Sequence, residues 1–503
     1  MQITGLEARA REVLRLIPSL QNTLRPVNKL PPEILSQIAQ HILCGWDPED
    51  HIDEYRNRDS RSLIPLTHVC RYWRESIISS PKNWTVMSSR SKELAALSLE
   101  RSKAAPLLIR LVMDAIKRQP GFPDVIAPYI QNTATLEFYE LNSVEDLMQV
   151  LPNFPQSMPN LESLCLDLPD PLAPNYWDPS VDPFRSFPPT LEDLFLINTP
   201  LYPSFLNLRS LKSFSFYDHG LNCPLDHLLD VLAENPRLKN MELQIEVKSR
   251  ATHNLPRRVP IDNELERLSV VCNNLKITRA ILACIPLRRG AELQIVAWDR
   301  GMGLDNIFSS IPATHFANLL APTYMESCGR VFDLSGPNGE FGFSGLSALR
   351  VSFAKLSFFS LNNVQELRIR SSDHKGYTPT SRVFEPPPFP ALQTLAIEND
   401  SNISKALSTL LSSPGSCPSL KTLAFLDCDP SDDFMMSLED FASNRRSTTS
   451  TWLNRVLIVQ SDGIFPSPDS VRRLREWVTV VDARTADALP ADLASGLEED
   501  LAG

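Results

Sequence analysis

The chain has 503 residues, 49 Lys and Arg against 60 Asp and Glu, a formal net charge of −11 and 43% hydrophobic residues. That length exceeds one ordinary globular core and suits several domains or an extended repeat array, and the hydrophobic fraction excludes a disordered chain. There is no long basic run, so nucleic acid is not an expected partner: displacing counterions from phosphates needs concentrated positive charge.

The 42 Pro against 17 Gly point to short elements joined by Pro-started turns. The nine Cys form no CxxC pair and are odd in number, which reads as reduced, partly buried thiols in the cytoplasm or nucleus. Met1-Gln2-Ile3-Thr4 has neither a basic nor an apolar leader character, and no apolar stretch approaches a membrane span, so no membrane partner is expected.

In residues 1–25, Leu6, Ala10, Val13, Leu14, Ile17 and Leu24 recur at helical spacing. This predicts a short amphipathic helix, broken near Pro18 or by Pro26. The stripe is too short for a coiled coil and reads as a helix packed on the next domain.

Next come Leu30-Pro31-Pro32-Glu33-Ile34-Leu35 and a helix whose apolar face holds Ile34, Leu35, Ile38, Ile42 and Leu43. The prolines suit a first helical turn, where a missing N–H costs nothing, and Glu33 suits the positive end of the dipole. A second helix is predicted from about Leu63, with Leu66, Val69, Cys70, Trp73 and Ile77 on one side, ended by Ser80-Pro81 and followed by Trp84. The two halves, with Val69-Cys70-Arg71-Tyr72-Trp73-Arg74 in the second, resemble an F-box over residues 26–86. A polar insertion, 45–62, separates them where a compact F-box has a shorter link. The interrupted form, with Leu99-Glu100-Arg101-Ser102 and an apolar strand after Pro106, is similar to the F-box protein sets of mushroom-forming fungi.

From about residue 107 a Leu-x-x-Leu-x-Leu pattern recurs, with clear copies at Leu161, Leu191, Leu211, Leu238, Leu265, Leu346, Val364, Leu392 and Leu420. The steps are 30, 20, 27, 27, 81, 18, 28 and 28 residues. The step of 81 equals three of 27, and weak copies stand at Gly290/Leu293/Ile295 and Phe316/Leu319/Ala321. The last three residues of each copy alternate like a strand, and the first apolar residue fills the turn into it. Such a unit buries its apolar face only by stacking on neighbours. Leu225, Leu228, Leu229 and Leu232 are spaced for a helix between strands.

This pattern resembles leucine-rich repeats over residues 87–484, except that the family's Asn or Cys eight residues after the first Leu is matched only by Asn273 and Cys428. The expected fold class is therefore α+β overall: a small all-α F-box followed by an irregular α/β leucine-rich-repeat-like solenoid with a parallel sheet. The segments 169–189 and Phe332–Phe343 read as surface loops, and 485–503 as a disordered acidic tail. The pairs Arg257–Arg258 and Arg445–Arg446 read as solvated loop charges.

No catalytic, metal or cofactor site is expected. Gly301-Met302-Gly303 lacks a third glycine at dinucleotide spacing, and there is no HExxH. The spacing of His219, Cys223 and His227 matches no metal motif, and Asp432-Asp433 reads as solvated. The resemblance implies a non-enzymatic substrate receptor of an SCF-type ubiquitin ligase. Its F-box would dock a Skp-family adaptor, and through it a cullin and RING subunit, while the repeats hold an unknown protein substrate. Leu30, Pro31, Ile34, Leu35, Ile38, Val69, Cys70 and Trp73 match the F-box motif positions; some would touch the adaptor and others, including Cys70, would fill the F-box core. The alternative is an interaction scaffold, outside any ligase, whose helices cap the first repeat.

Overall fold

The computed structural model describes residues 25–44, 60–119, 121–141, 158–168, 190–199, 208–219, 225–246, 264–297, 322–328, 331–337, 339–345, 361–370, 389–398, 417–428, 430–448, 452–460 and 465–485, with a few isolated positions besides. The expected loop 169–189, the tail beyond 485, Arg257–Arg258, Gly301–Gly303, Cys223, the copy at Leu346, most of the N-terminal helix and most of the polar insertion lie outside them. The protein is mixed α/β with a long, mostly parallel set of strands. It divides into two units, Met1–Cys223 and Pro224–Gly503.

In the first unit a 3-10 turn, Pro26–Lys29, leads to helix α1, Pro32–Cys44. Leu35, Ala39 and Leu43, each four residues on, form its buried stripe. A 3-10 turn, Ser60–Leu63, runs into the single turn of α2, Ile64–Thr67. One continuous helix from Leu63 is expected from the sequence; the chain instead breaks and restarts as α3, Arg71–Ser79. The carbonyls of α2 are shared out: Thr67 Oγ1 donates to Ile64 O at 2.7 Å and Arg74 Nε to Thr67 O at 2.9 Å, while the amides of His68 and Val69 donate to Pro65 O at 3.0 Å and Leu66 O at 3.3 Å. The two amide bonds span three residues, not four, which tightens the turn and ends the helix. Cys70 is extended, with φ −160°, so Val69 does not share the helical face of Trp73.

A 3-10 turn over Pro81–Trp84 then leads to β1, Val86–Ser88. Helix α4, Lys92–Ser102, is capped by Ser91, whose Oγ accepts from Leu94 N. There follow β2, Leu107–Val112; α5, Met113–Arg118; α6, Phe122–Ile126; β3, Thr133–Tyr139; β4, Ser163–Asp167; β5, Asp193–Ile197; and β6, Ser213–Asp218. Each of these six strands is parallel to the next.

The second unit begins with α7, Leu225–Glu234, the helix expected from Leu225 to Leu232. It continues with β7, Asn240–Ile245; β8, Arg267–Cys272; α8, Leu275–Cys284; and β9, Ala291–Ala297. Then come β10, Tyr324–Cys328; β11, Val331–Gly336; β12, Gly339–Gly345; β13, Glu366–Arg370; β14, Thr394–Glu398; and β15, Thr422–Leu426. Helix α9, Asp432–Thr448, precedes β16, Arg455–Gln460; α10, Pro468–Leu474, precedes β17, Val480–Thr485.

The strands follow the repeated pattern closely. Those at Leu161, Leu191, Leu211, Leu238, Leu265, Val364, Leu392 and Leu420 each begin two residues after the first apolar residue, and that residue is buried. Its N–H closes a tight turn: Leu161 donates to Met158 O, Leu238 to Asn235 O, Leu392 to Phe389 O and Leu420 to Cys417 O, all at 3.0–3.3 Å. The carbonyl one residue later accepts two amides from the next rung. Glu162 O takes Glu192 N and Asp193 N; Gln393 O takes Lys421 N and Thr422 N. Both lone pairs of that carbonyl are thereby used.

Strand exits repeat too. Glu140, Asn198 and Asp427 have φ of 58°, 50° and 50°, a left-handed conformation that Asn and Asp tolerate best. One residue after Asn198, Thr199 Oγ1 donates to Leu166 O at 3.2 Å and Ile197 O at 3.0 Å. One residue after Asp427, Cys428 Sγ makes the same two bonds, to Ile397 O and Leu426 O, both at 3.3 Å. Threonine therefore fills at 199 the role that the Asn/Cys rule finds only at Asn273 and Cys428.

The gap of 81 residues is not three regular copies. The weak copy at Gly290 is β9, but Phe316 makes only an isolated bridge with Leu287 among the described residues. The stretch Phe332–Phe343, expected as a loop, is instead the antiparallel pair β11 and β12. Leu334, Phe341 and Phe343 alternate into the core around Gly336-Pro337-Asn338-Gly339, a hairpin turn signal. The strand order there is β9, β12, β11, β10, β13, with β11 alone reversed. At Gly342 a Cβ would stand 3.0 Å from Asp333 Oδ1, so that side chain would have to give by a few tenths of an ångström.

Arg445 is a second correction. It is a buried residue of α9, not a loop charge, and its Nη2 donates to the carbonyls of Cys417 at 2.7 Å, Pro418 at 3.1 Å and Leu420 at 3.0 Å. Burial lowers its pKa from the usual arginine value, yet guanidinium stays charged in proteins.

Candidate functional site

The helices of the first unit share one apolar core. Leu35, Ala39, Leu43, Leu63, Trp73, Ile77, Trp84 and Val86 are buried in it, with Leu30, Ile38, Leu66, Cys70 and Leu108 partly buried against it. The core thus runs from the helices into β1 and β2.

Polar bonds fix the relative placement of the segments. Tyr72 Oη donates to Leu30 O at 2.6 Å and Cys70 Sγ to Asn28 Oδ1 at 3.6 Å, tying the approach to α1 against the start of α3. Ser36 Oγ on α1 donates to Asn83 Oδ1 at 2.9 Å, and Asn83 Nδ2 and Trp84 Nε1 both donate to Ile77 O. Ser60 Oγ donates to Val86 O at 2.5 Å and accepts from Ser98 Oγ at 3.1 Å. Ser60 and the two residues after it, the end of the expected insertion, are therefore built into the fold. The Arg101 guanidinium lies 4.3 Å over the Trp84 ring.

The eight motif residues divide into two groups. Leu35 and Trp73 are buried, and Leu30, Ile38 and Cys70 pack against the same core. Pro31, Ile34 and Val69 are exposed, Ile34 at 38% and Val69 at 51%. Val27 and Ile64, each 45% exposed, add to the apolar side chains left in water. Neither is among the motif residues. The signal for Ile64 was available: in a single turn whose neighbours Leu63 and Leu66 point inward, the residue between them points out.

Little else invites chemistry. Among the described residues no group of three or more His, Cys, Asp or Glu could hold a metal ion. Burial pushes the Cys417 thiol up to about 11 and also raises Cys272, which keeps both protonated near neutral pH and poor as nucleophiles. Asp432 and Asp433 stand exposed in the first turn of α9. The buried pair Arg110 Nε–Glu137 Oε2, at 2.6 Å, joins β2 to β3, with Tyr139 Oη on the same carboxylate oxygen at 3.2 Å. That carboxylate is already held by a guanidinium and a phenol. No described helix is long and apolar enough to cross a membrane.

No family model matches the chain. No curated protein matches it. Among solved structures, a crystal structure of a protein from Bacteroides fragilis is similar at 12% identity and a TM-score of 0.18, over 76% of this chain and 74% of that one, a likeness too weak to carry an argument.

Proposed function

We propose that the chain is the substrate-receptor subunit of an SCF-type cullin-RING ubiquitin ligase. In this reading α1–α3 form an F-box that docks a Skp-family adaptor. The parallel rungs form an irregular leucine-rich-repeat-like solenoid that holds a protein substrate, and ubiquitin transfer belongs to the partners. The supporting observation is the division of the motif. Leu35 and Trp73 fill the core while Pro31, Ile34 and Val69 stay in water, where folding has no use for them. Docking a partner over them would remove that apolar surface from water, which favours association.

The test is co-purification of the full chain with a Skp-family adaptor. Wild type binds, and Ile34→Asp with Val69→Asp weakens binding at least about tenfold while the thermal midpoint holds. A wild type that binds no such adaptor ends the ligase reading, and binding that survives both changes moves the interface elsewhere. A second reading, a scaffold whose helices cap the first rung, draws on Val86 and Leu108 joining the helical core. It expects no adaptor binding at all.

A further inference from the structure

We infer that Arg446, held between Trp452 and Trp477 in the second unit, is the docking point for a protein segment that carries an aspartate or glutamate beside an aliphatic side chain. One position of the repeat, three residues before the strand, shows why. Before β4, β5, β6 and β15 it is Asn160, Thr190, Ser210 and Ser419. Each side chain donates to a carbonyl one repeat earlier: Gln131 O at 2.7 Å, Leu161 O at 2.8 Å, Leu191 O at 2.7 Å and Pro390 O at 2.6 Å. Before β16 and β17 the same position is Trp452 and Trp477. Trp452 is 52% exposed, so packing of the rungs does not account for it.

Arg446 is exposed in the last turn of α9, and its guanidinium carbon lies 4.5 Å from the Trp452 ring centroid and 5.8 Å from that of Trp477. Its Nη1 donates to Glu476 O at 2.7 Å, which holds the group in place. Among the described residues its Nε and Nη2 donate to nothing. These two nitrogens form one edge of the guanidinium, and that edge matches the two oxygens of a carboxylate. The exposed indole beside it offers apolar area to the aliphatic neighbour of that carboxylate. Phosphopeptides are taken by clusters of arginines, whereas here one guanidinium faces out and Arg445 turns inward. Charge therefore favours a carboxylate as the occupant. Trp and Arg are also the residue types enriched among those whose loss costs an interface most. The site belongs to the second unit and does not depend on adaptor binding by α1–α3.

The test is selection of a displayed random peptide library against the full chain, then fluorescence anisotropy with a labelled peptide of the enriched sequence. Enriched sequences are expected to set Asp or Glu beside Leu, Ile or Val. Arg446→Gln and Trp452→Ala should each weaken that peptide at least about tenfold, with thermal melts as a folding check. Arg446→Lys keeps the charge, loses the fork and should not restore binding. Replacing the acid of the peptide by its amide should weaken it by a similar factor. A library that enriches no acidic sequence overturns the proposal, as do peptides indifferent to both Arg446→Gln and Trp452→Ala. A phosphoserine peptide that binds more tightly than the carboxylate one overturns the choice of occupant. So does self-association of the full chain that Trp452→Ala abolishes, which would give the patch to a second copy.

Discussion

Two regions of the first unit treat apolar residues differently. In the strands, Leu161, Leu164 and Leu166, then Leu191, Leu194 and Leu196, all turn inward. In the helices before them, Leu35 and Trp73 turn inward while Ile34 and Val69 stay in water. A strand with a period of two sends these leucines to one face, and shifting it by one residue would turn the whole set to the other. A short helix pair has more surface than its core can take up. In the proposed reading, surplus apolar residues there bear on a partner, whereas in the strands they bear on the fold.

The sharpest way to break this contrast is to truncate one residue of each kind. Leu395→Ala, in β14 between two paired neighbours, is expected to cost about 3 kcal/mol in urea unfolding, as buried leucines do. Ile34→Ala should cost less than about 1 kcal/mol, because the side chain is partly in water already. Equal losses would mean that Ile34 belongs to the core. Next in size is Arg445→Met. It keeps the volume of the stem and strips the donors from the Cys417, Pro418 and Leu420 carbonyls, at a cost of about 2 kcal/mol by the same measurement.

These sites also mark how far the sequence was legible. The rungs were, because Leu392/Leu395/Ile397 and its relatives carry both period and spacing, and each places its strand two residues on. The meander was not: Gly336, Pro337, Asn338 and Gly339 signal a turn without saying whether strands flank it, and one residue of wrong emphasis turns a hairpin into a loop. Arg445 was hidden for another reason. Nothing local distinguishes a solvated arginine from one reaching back to a turn 25 residues earlier. At the helical site the motif named the residues, but the break at His68–Cys70 decides which face Val69 takes, and the apolar spacing alone does not mark it.

A smaller effect sharpens the comparison between units. Thr199 and Cys428 make the same pair of bonds at strand exits, one in each unit. If the bonds and not the atoms matter, Thr199→Cys and Cys428→Thr should each shift the unfolding midpoint little. Thr199→Val keeps the shape, removes the donor from two carbonyls and should cost about 1 kcal/mol. A valine as stable as threonine would show that the exit geometry needs no donor.

The smallest effect lies at Asp193, the first residue of β5. Asp193 is exposed, yet partial desolvation of its carboxyl by the surrounding chain, then the like charges of Glu192 and Glu162, hold it above the usual aspartate range, while Lys212 pulls it back. A carboxyl with a raised folded value binds its proton more readily folded than unfolded. Its charge therefore opposes folding. The associated stability is fully present below the ordinary aspartate value of about 4 and is lost as pH rises through the folded value. Asp193→Asn should accordingly raise the thermal midpoint at pH 7. Solvent screening limits the gain to less than about 0.5 kcal/mol, and the difference should close as pH falls below about 4. A midpoint lower than wild type at pH 7 would mean that the Lys212 attraction outweighs burial and like charge at this strand start.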